Sequence, residues 1–323
     1  MPTSNNPRAR RTPNLQAALV ARRFYLDGQQ KSDIADEFGI SRFKVARLLD
    51  DALESGIVRI YVDMPADVDV GLGEKLASTF SIGRALVADV AGESAETAQL
   101  MTARLAADFV MSTLGPDDVL GISWGTSVQK VVDEIDALPP IDIVQMVGGV
   151  RTAGLDTNGS ELVRRLSHVS GGEAYPLLAP LIVDTDATVN ALRGERAIAE
   201  ALAQFDRISV ALVGIGSWRP EQSSLIDEVS DSDRRQLIAG GAVADVCGLV
   251  LTSQGTSVDS SFSARTLSIS FDQLARVPKV VAIAGGLEKT AAIEASVNSG
   301  LIDILVTDSM VAERLLGNSN SHL

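Results

Sequence analysis

The sequence predicts an α/β protein in which a small N-terminal helix-turn-helix domain precedes a larger Rossmann-like α/β domain. Two observations lead to this prediction. Lysine and arginine are concentrated in the first 60 residues, and beyond residue 80 short apolar runs alternate with longer helical patterns. A chain of 323 residues also has room for roughly two domains of ~150 residues.

The charge of the chain is divided unevenly between the two predicted domains. The formal net charge is −14, yet residues 1–60 hold ten basic and seven acidic residues and therefore carry +3. The remaining residues hold 18 basic and 35 acidic residues and carry −17. Such an asymmetry indicates a small basic module joined to an acidic body.

Composition excludes several classes of protein and of site. The single cysteine, Cys247, cannot form an intramolecular disulfide or a thiolate cluster, and two histidines leave little for a histidine metal site. No apolar run reaches the ~18 residues of a membrane span, and no apolar segment follows the basic residues near the N-terminus. We therefore expect a cytoplasmic protein without a cofactor, a metal or a membrane partner.

The basic module has the pattern of a helix-turn-helix. A disordered basic arm is predicted at residues 1–13, and the helix-turn-helix domain is predicted at 14–62. Asn14 can cap a first helix, whose apolar stripe includes Leu15 and Leu19.

Two further helices complete this motif. The second is predicted over 31–38, and the third begins after its cap, Ser41. The inward faces of both helices are formed by Ile34, Ala35, Phe38, Val45, Leu48, Leu49 and Ala52. Alternating apolar residues over 57–62 then predict a strand, the remnant of a wing.

The third helix carries residue types that contact DNA. Ser41 can offer its hydroxyl and its backbone N–H to a phosphate. Arg42, Lys44 and Arg47 lie off the apolar stripe and can reach phosphates or guanine edges, and the first two are the expected base readers. Phe43 can contact a thymine methyl group or simply pack. The alternative is a three-helix packing domain with a solvated basic face.

The acidic body is predicted to be a mainly parallel sheet with helices on both faces. A linker over 63–80, with a short helix at 74–79, leads to a domain over 81–317 and a tail over 318–323. Strands are predicted at 85–87, 119–122, 143–146, 208–213, 248–251, 279–283 and 304–306. Helices are predicted near 94–114, 128–137, 159–169, 195–204, 230–240, 287–299 and 309–316. Ligands of such sheets bind at the carboxyl ends of the strands.

Four glycine-bearing loops at predicted strand ends suit an anion. They contain Gly125, Thr126 and Ser127; Gly148, Gly149 and Arg151; Gly214 and Gly216; and Gly285, Gly286 and Lys289. The first loop runs into a helix N-terminus, where N–H groups and the helix dipole favour negative charge. Lys289 occupies the first turn of a helix, which is unfavourable for a cation unless an anion compensates it. Together the loops predict a phosphorylated ligand, although each glycine pair alone is also typical of a tight turn.

Competing motifs fit less well. Gly121–Gly125 matches the hydrolase pattern G-x-S-x-G, but His168 follows the serine too closely and the other histidine lies in a polar tail. No P-loop is present, and the dinucleotide fingerprint fails because Arg219 stands at its third glycine position. Cys247 is expected to pack in the core, and Trp124 is expected either to pack there or to line the pocket.

Five segments form an ordered series along the chain. They are IADEFGISRFKVARLLDDALESGIVRI (34–60), GISWGTS (121–127), VQMVGG (144–149), GAVADVCG (241–248) and GGLEKTAAIEASVNSGLIDILVTD (285–308). This series, over about residues 14–317, resembles the SorC-type family of bacterial transcriptional regulators, which includes the deoxyribonucleoside and central glycolytic gene regulators.

The resemblance implies a winged helix-turn-helix and an effector domain similar to the sugar-phosphate isomerase and glucosamine-phosphate deaminase fold, acting as a sensor rather than an enzyme. It implies a phosphate cradle of Gly125, Thr126, Ser127, Gly148, Gly149 and Lys289. It also places Asp245 and Gln254 near the sugar hydroxyls. Met146 and Val147 stand where some members have a lysine that bonds an aldehyde effector, so no Schiff base is expected. Ala244 replaces the usual glycine of the GDxxG segment.

The sequence therefore predicts a DNA-binding regulator of a carbohydrate or polyol catabolic operon. Its affinity for double-stranded operator DNA is expected to depend on a sugar or polyol phosphate effector. A homo-oligomer, either a dimer or a tetramer, is expected because such readers use paired half-sites. Two alternatives stay open: a sugar-phosphate isomerase or deaminase fused to a DNA-binding module, and a purely structural tetramerisation domain.

Overall fold

The computed structural model describes residues 15–60, 67–150, 159–258 and 261–319. Contacts divide the chain into two compact units, Met1–Met64 and Pro65–Leu323. Several predictions concern residues outside the described ones. These are the basic arm, the helix cap Asn14, the candidate ligand residue Arg151 and most of the tail.

Three helices form the described part of the first unit. They are α1 (Leu15–Tyr25), α2 (Lys31–Phe38) and α3 (Arg42–Glu54). Gly39 turns the chain from α2 to α3 with φ of 61°, a left-handed conformation that glycine adopts without a steric cost. As predicted, the Ser41 side chain caps α3 and accepts a hydrogen bond from the Lys44 N–H at 3.2 Å.

The predicted inward faces of α2 and α3 are confirmed, whereas the apolar stripe predicted for α1 is wrong. Ala17, Val20 and Ala21 are buried on α1, while Leu15 and Leu19 are 71% and 43% exposed. Alanine and valine let α1 lie close against α3, and the larger leucines consequently point away from the core.

The strand predicted over 57–62 is wrong for its described part. Residues 57–60 form bends and irregular backbone. Ile57 and Val58 pack against the three-helix core, and the Val58 N–H donates to the Ala52 carbonyl at 2.9 Å. A strand needs a partner strand for its backbone groups, and the described residues of this unit contain none.

The second unit alternates strands and helices. The strands are β1 (Arg84–Ala88), β2 (Val119–Ile122), β3 (Asp142–Gln145), β4 (Ala174–Tyr175), β5 (Val210–Trp218), β6 (Glu221–Gln222), β7 (Ala242–Val246), β8 (Leu249–Thr252), β9 (Lys279–Ile283) and β10 (Ile304–Asp308). The helices are α4 (Val70–Phe80), α5 (Ala95–Thr113), α6 (Thr126–Glu134), α7 (Gly159–Ser170), α8 (Asp186–Arg193), α9 (Arg196–Leu202), α10 (Asp231–Ala239), α11 (Phe271–Leu274), α12 (Thr290–Asn298) and α13 (Ser309–Ser319). No helix in the described ranges is long and apolar enough to cross a membrane.

Helix α4 occupies most of the segment predicted as a linker over 63–80. Its buried residues Gly73 and Leu76 face β1. A Cβ at Gly73 would lie 2.5 Å from the carbonyl oxygen of Ala85, so the helix approaches the strand as closely as a glycine allows. This part of the segment is therefore packed into the second unit.

The main sheet has the order β1-β10-β9-β5-β2-β3-β4, and every neighbouring pair in it is parallel. The second half of β5 leaves this sheet and pairs antiparallel with β6 and β7, and β8 pairs with β7. The prediction of a mainly parallel α/β sheet is confirmed. From β2 the chain continues to β3 and β4 on one side, whereas β5, β9 and β10 lie on the other, which makes the β2–β5 boundary a topological switch point.

Alternate residues of the central strands face opposite cores. Leu120 and Leu212 pack under α5, α6 and α7, whereas Ala211 and Val213 pack on the other face with α4, α12 and α13. Helices therefore cover both faces, and the open positions of the sheet are the loops at the strand ends.

Candidate functional sites

Two adjoining polar cavities open at the carboxyl ends of β2, β5 and β9. The wider has a volume of about 380 Å³ and the narrower about 60 Å³. Their walls share Thr126, Ser127, Gln222, Ser223, Ser224 and Lys289. The cavities lie at the topological switch point, which is where open parallel sheets bind their ligands.

The first wall is the loop from β2 into α6. Gly125 precedes the helix with φ of 129°, and no atom lies within 4 Å of the place that a Cβ would take there. The glycine therefore serves the backbone conformation and keeps the space beside it open. The first N–H groups of a helix have no acceptor within it. Because Thr126 and Ser127 line both cavities, these donors and the positive end of the helix dipole lie at the cavity wall.

Lys289 supplies a positive charge at the wall of both cavities. It ends a 3₁₀ turn (Leu287–Lys289) after β9, and its Nζ donates a hydrogen bond to the Ile215 carbonyl at 3.2 Å. Burial lowers the pKa of its ammonium, while the nearby carboxylates of Asp245 and Glu288 act in the opposite direction. The ammonium keeps two further N–H donors, so it can bind an anion in the cavity.

Asp245 is the buried carboxylate of the narrower cavity. It is 7% exposed, and its Oδ1 accepts hydrogen bonds from the indole Nε1 of Trp218 at 3.0 Å and the hydroxyl of Ser223 at 2.5 Å. Burial raises the pKa of this carboxyl, against the lowering effect of both hydrogen bonds and of Lys289. Its Oδ2 accepts no hydrogen bond from a described residue, so it is available to a ligand hydroxyl.

Gly216 allows the carboxylate to lie where it does. A Cβ at Gly216 would lie 2.3 Å from Oδ1 of Asp245 and 2.5 Å from Oγ of Ser223. At Gly214, two residues earlier on β5, a Cβ would lie 3.5 Å from Val128, an ordinary contact. Both glycines line the narrower cavity, but its polar network requires only Gly216.

Asp308 lines neither cavity but anchors the loop beside them, a role that the sequence did not predict. Its Oδ2 accepts a hydrogen bond from the Gly286 N–H at 2.7 Å, and its Oδ1 accepts one from the Val311 N–H at 2.9 Å. These bonds fix the loop that carries Lys289 against the start of α13. The available signal was an acid placed directly between an apolar strand and a helix, as in a helix cap.

Most of the ligand-binding residues predicted in the second unit come together. The narrower cavity is lined by Gly125, Thr126, Ser127, Gly214, Gly216, Asp245 and Lys289. Cys247 lines it as well and packs in the core as expected. Trp124 both packs against the core and lines this cavity, the two roles that the sequence left open for it. Burial raises the pKa of the Cys247 thiol, which keeps it protonated and unreactive.

Other predicted residues lie elsewhere. The N–H groups of Gly148 and Gly149 donate to carbonyls of neighbouring segments at 2.9 and 2.8 Å, and neither residue lines the two cavities. Gln254 is exposed on the turn after β8. Arg151 lies outside the described residues.

Ser123, the serine of the hydrolase pattern, is held by backbone groups. It is 3% exposed, and its hydroxyl accepts a hydrogen bond from the Gly214 N–H at 3.2 Å. His168 is exposed in the last turn of α7. Ser123 therefore lacks a histidine partner within the described part of the chain.

In the first unit the candidate nucleic-acid residues share the surface at the N-terminal end of α3. All five are exposed: Ser41, Arg42, Phe43, Lys44 and Arg47. The three cations among them form no ion pair with an acid of the described ranges. Arg23 of α1, in contrast, pairs with Asp27 at 3.0 Å and with Glu37 at 2.7 Å. The α3 cations are therefore free to meet an external anion.

Comparison with known proteins places this fold in a family. The family described as "Putative sugar-binding domain" matches residues 66–317. The full-length sorbitol operon regulator SorC from Klebsiella pneumoniae has a solved structure that covers 93% of this chain and 98% of its own, with 26% identity and a TM-score of 0.71. The chain belongs to the SorC-type family of sugar-binding transcriptional regulators. The resemblance predicted from the five sequence segments is confirmed.

Relatives of this SorC-type chain match over nearly their whole length. The sorbitol operon regulator of Klebsiella pneumoniae is 28% identical over 92% of this chain and 96% of its own. The erythritol catabolism regulatory protein EryD of Brucella abortus (strain 2308) is 26% identical over 92% of this chain and 94% of its own. The deoxyribonucleoside regulator of Bacillus subtilis (strain 168) is 23% identical over 93% of this chain and 96% of its own. All three are named as regulators, which confirms the expectation of a regulator rather than an enzyme.

Proposed function

We propose that this SorC-type chain regulates a carbohydrate or polyol catabolic operon in the cytoplasm. It binds operator DNA as a homo-oligomer, and a sugar or polyol phosphate sets its affinity for that DNA. The single observation that carries the proposal is the cation Lys289, half-buried beside a helix N-terminus in a domain that is otherwise strongly acidic. The names of the relatives, which refer to sorbitol and erythritol, support a polyol or sugar as the ligand class.

The proposed phosphate site uses the α6 N-terminus and Lys289 together. The helix N–H groups and the hydroxyls of Thr126 and Ser127 supply neutral donors, and the ammonium supplies the charge. The free Oδ2 of Asp245 would accept a hydroxyl of the sugar or polyol. We also propose that this domain is similar to the sugar-phosphate isomerase and deaminase fold. Arg151 stays a predicted phosphate ligand.

The proposed DNA reader is the helix-turn-helix formed by α2 and α3. Arg42, Lys44 and Arg47 would contact phosphates and base edges, and Ser41 would offer the helix N-terminus to a phosphate. Gly148, Gly149 and Gln254 stay predicted ligand residues, although they do not line the two cavities.

The ligand can change DNA affinity only through a difference in its own affinity for two arrangements of the oligomer. If it binds one arrangement tenfold more tightly, it shifts the equilibrium by about 1.4 kcal/mol. If the DNA half-sites fit only one arrangement, this shift would change the affinity of the oligomer for DNA.

The proposal is tested by a thermal unfolding screen with sorbitol 6-phosphate, erythritol 4-phosphate and other sugar phosphates, each beside its unphosphorylated parent. We expect a phosphorylated compound to raise Tm, because a ligand present at a hundred times its Kd stabilises by about 2.7 kcal/mol. The hit should then change the affinity for DNA. Stabilisation by no compound would favour a purely structural domain, and turnover of the hit would favour an enzyme.

A further inference from the structure

The ring of Phe43 projects into solvent at the start of α3. Its side chain is 90% exposed, more than that of any other large apolar residue in the described ranges. It is the second residue of α3, directly between Arg42 and Lys44, and Arg47 follows one turn later. The alternative that Phe43 packs within the protein is therefore wrong for the isolated chain. The ring is available for a contact outside the chain.

The surroundings of Phe43 determine which partner the ring suits. An apolar protein surface placed on the ring would also desolvate the three cations beside it, which form no ion pair with the described acids. The major groove of DNA presents both kinds of group at once. Phosphates border it, and the 5-methyl group of thymine is its one apolar feature.

The charge along α3 determines which part of the helix approaches DNA. The cations occupy the first half of the helix, whereas the second half carries Asp50, Asp51 and Glu54. At about 1.5 Å per residue, Asp50 lies roughly 10 Å beyond Phe43 along the helix axis. Asp51 is the acid that borders the same surface depression as Phe43, Lys44 and Arg47. The acidic half is repelled by the phosphates, so α3 enters the groove with its first turn leading. This orientation brings Phe43 to the level of the bases.

We infer that Phe43 reads the 5-methyl group of a thymine at one fixed position of each operator half-site. The inference rests on the proposed DNA binding and adds the base that the ring recognises. The cations give affinity for the duplex, and the ring gives sequence preference at one base pair.

The experiment compares thymine with deoxyuridine, which lacks only the methyl group. A duplex of ~30 base pairs, long enough for two half-sites, is first selected by the full chain from a random library. Each thymine is then replaced singly by deoxyuridine, and Kd is measured. At one symmetry-related pair of thymines, we expect each replacement by deoxyuridine to raise Kd about fourfold, because it removes one buried methyl group. Replacement of the other thymines should change Kd little.

The Phe43→Ala variant identifies the side chain that makes the contact. It should bind the thymine and the deoxyuridine duplexes with equal affinity at that position. Leu53→Ala is the matched control, because Leu53 is a 40% exposed apolar residue in the acidic half of the same helix. This control should keep the fourfold preference. Phe43 is too exposed for its truncation to unfold the unit.

Two results would overturn the inference. One is a wild-type chain for which no thymine methyl matters, and the other is a Phe43→Ala variant that keeps the wild-type preference for thymine. Failure of the proposed DNA binding gives a different result, because the chain would then select no duplex from the library at all. In that case both the DNA binding and the role of Phe43 would be excluded.

Discussion

Lys289 and Asp245 line the same narrow cavity with opposite charges and are held apart by different partners. The Lys289 Nζ donates to the Ile215 carbonyl at 3.2 Å, while the Asp245 Oδ1 accepts from Trp218 and Ser223. Each charge favours the ionised form of the other, and burial acts against both. Both side chains line one space, where Lys289 offers a cation and Asp245 offers a hydroxyl acceptor to the proposed sugar or polyol phosphate.

Replacing Lys289 by methionine should weaken the binding of the screened sugar phosphate by about tenfold to a hundredfold, the usual loss for a charge-assisted hydrogen bond. Calorimetric titration measures this change directly. Lys279→Met is the matched control, because Lys279 lies at the amino end of β9, whereas the cavities lie at its carboxyl end. Equal affinity in both variants would remove Lys289 from the site.

The buried carboxyl of Asp245 should make stability depend on pH in a defined direction. Burial raises its pKa in the folded state above the ordinary value of about 4. Between these two pKa values the folded chain holds a proton that the unfolded chain has lost, so the free energy of unfolding falls as pH rises.

Asp245→Asn removes that titration and keeps an acceptor for Trp218 and Ser223. The difference in free energy of unfolding between variant and wild type should therefore grow in favour of the variant as pH rises from about 4. Urea unfolding at several pH values measures it, with the exposed Asp36→Asn as the surface control. A difference that does not vary with pH would contradict the assignment.

Two glycines on β5 provide a matched pair of substitutions. Gly216→Ala places a methyl group 2.3 Å from Asp245 Oδ1, so we expect a loss of about 1–3 kcal/mol in the free energy of unfolding and a weaker ligand site. Gly214→Ala makes only a contact of 3.5 Å and should change stability by less than about 0.5 kcal/mol. Similar unfolding curves for both variants would show that the network around Asp245 tolerates displacement.

The sequence predicts the strands of the main sheet well for a local reason. Strands such as β2 are buried on both faces, so they appear as continuous apolar runs between glycine loops. The β7–β8 hairpin has a weaker signal. Its two-residue turn is Cys247–Gly248, with φ of 53° and 77°, where asparagine followed by glycine is the usual pair.

Long-range contacts explain why the sequence does not predict the remaining features of the site. The N–H of Gly148 donates to Leu267, more than a hundred residues away along the chain, and no local pattern shows that this donor is already used. The anchoring of the Lys289 loop by Asp308 is likewise a tertiary contact. Local patterns therefore predict which loops surround the cavity, whereas tertiary hydrogen bonds decide which of their donors remain available.

The two arginines Arg42 and Arg23 should differ in their contribution to DNA binding. Arg42 has no ion pair with a described acid, whereas the Arg23 guanidinium is bound by Asp27 and Glu37. Arg42→Ala should therefore weaken binding to the selected duplex by roughly fivefold to a hundredfold. If Arg42 also contacts a phosphate, the slope of log K against log salt should fall by about one. Arg23→Ala should leave both quantities unchanged, and an Arg42→Ala variant with wild-type affinity and slope would exclude α3 as the reading helix.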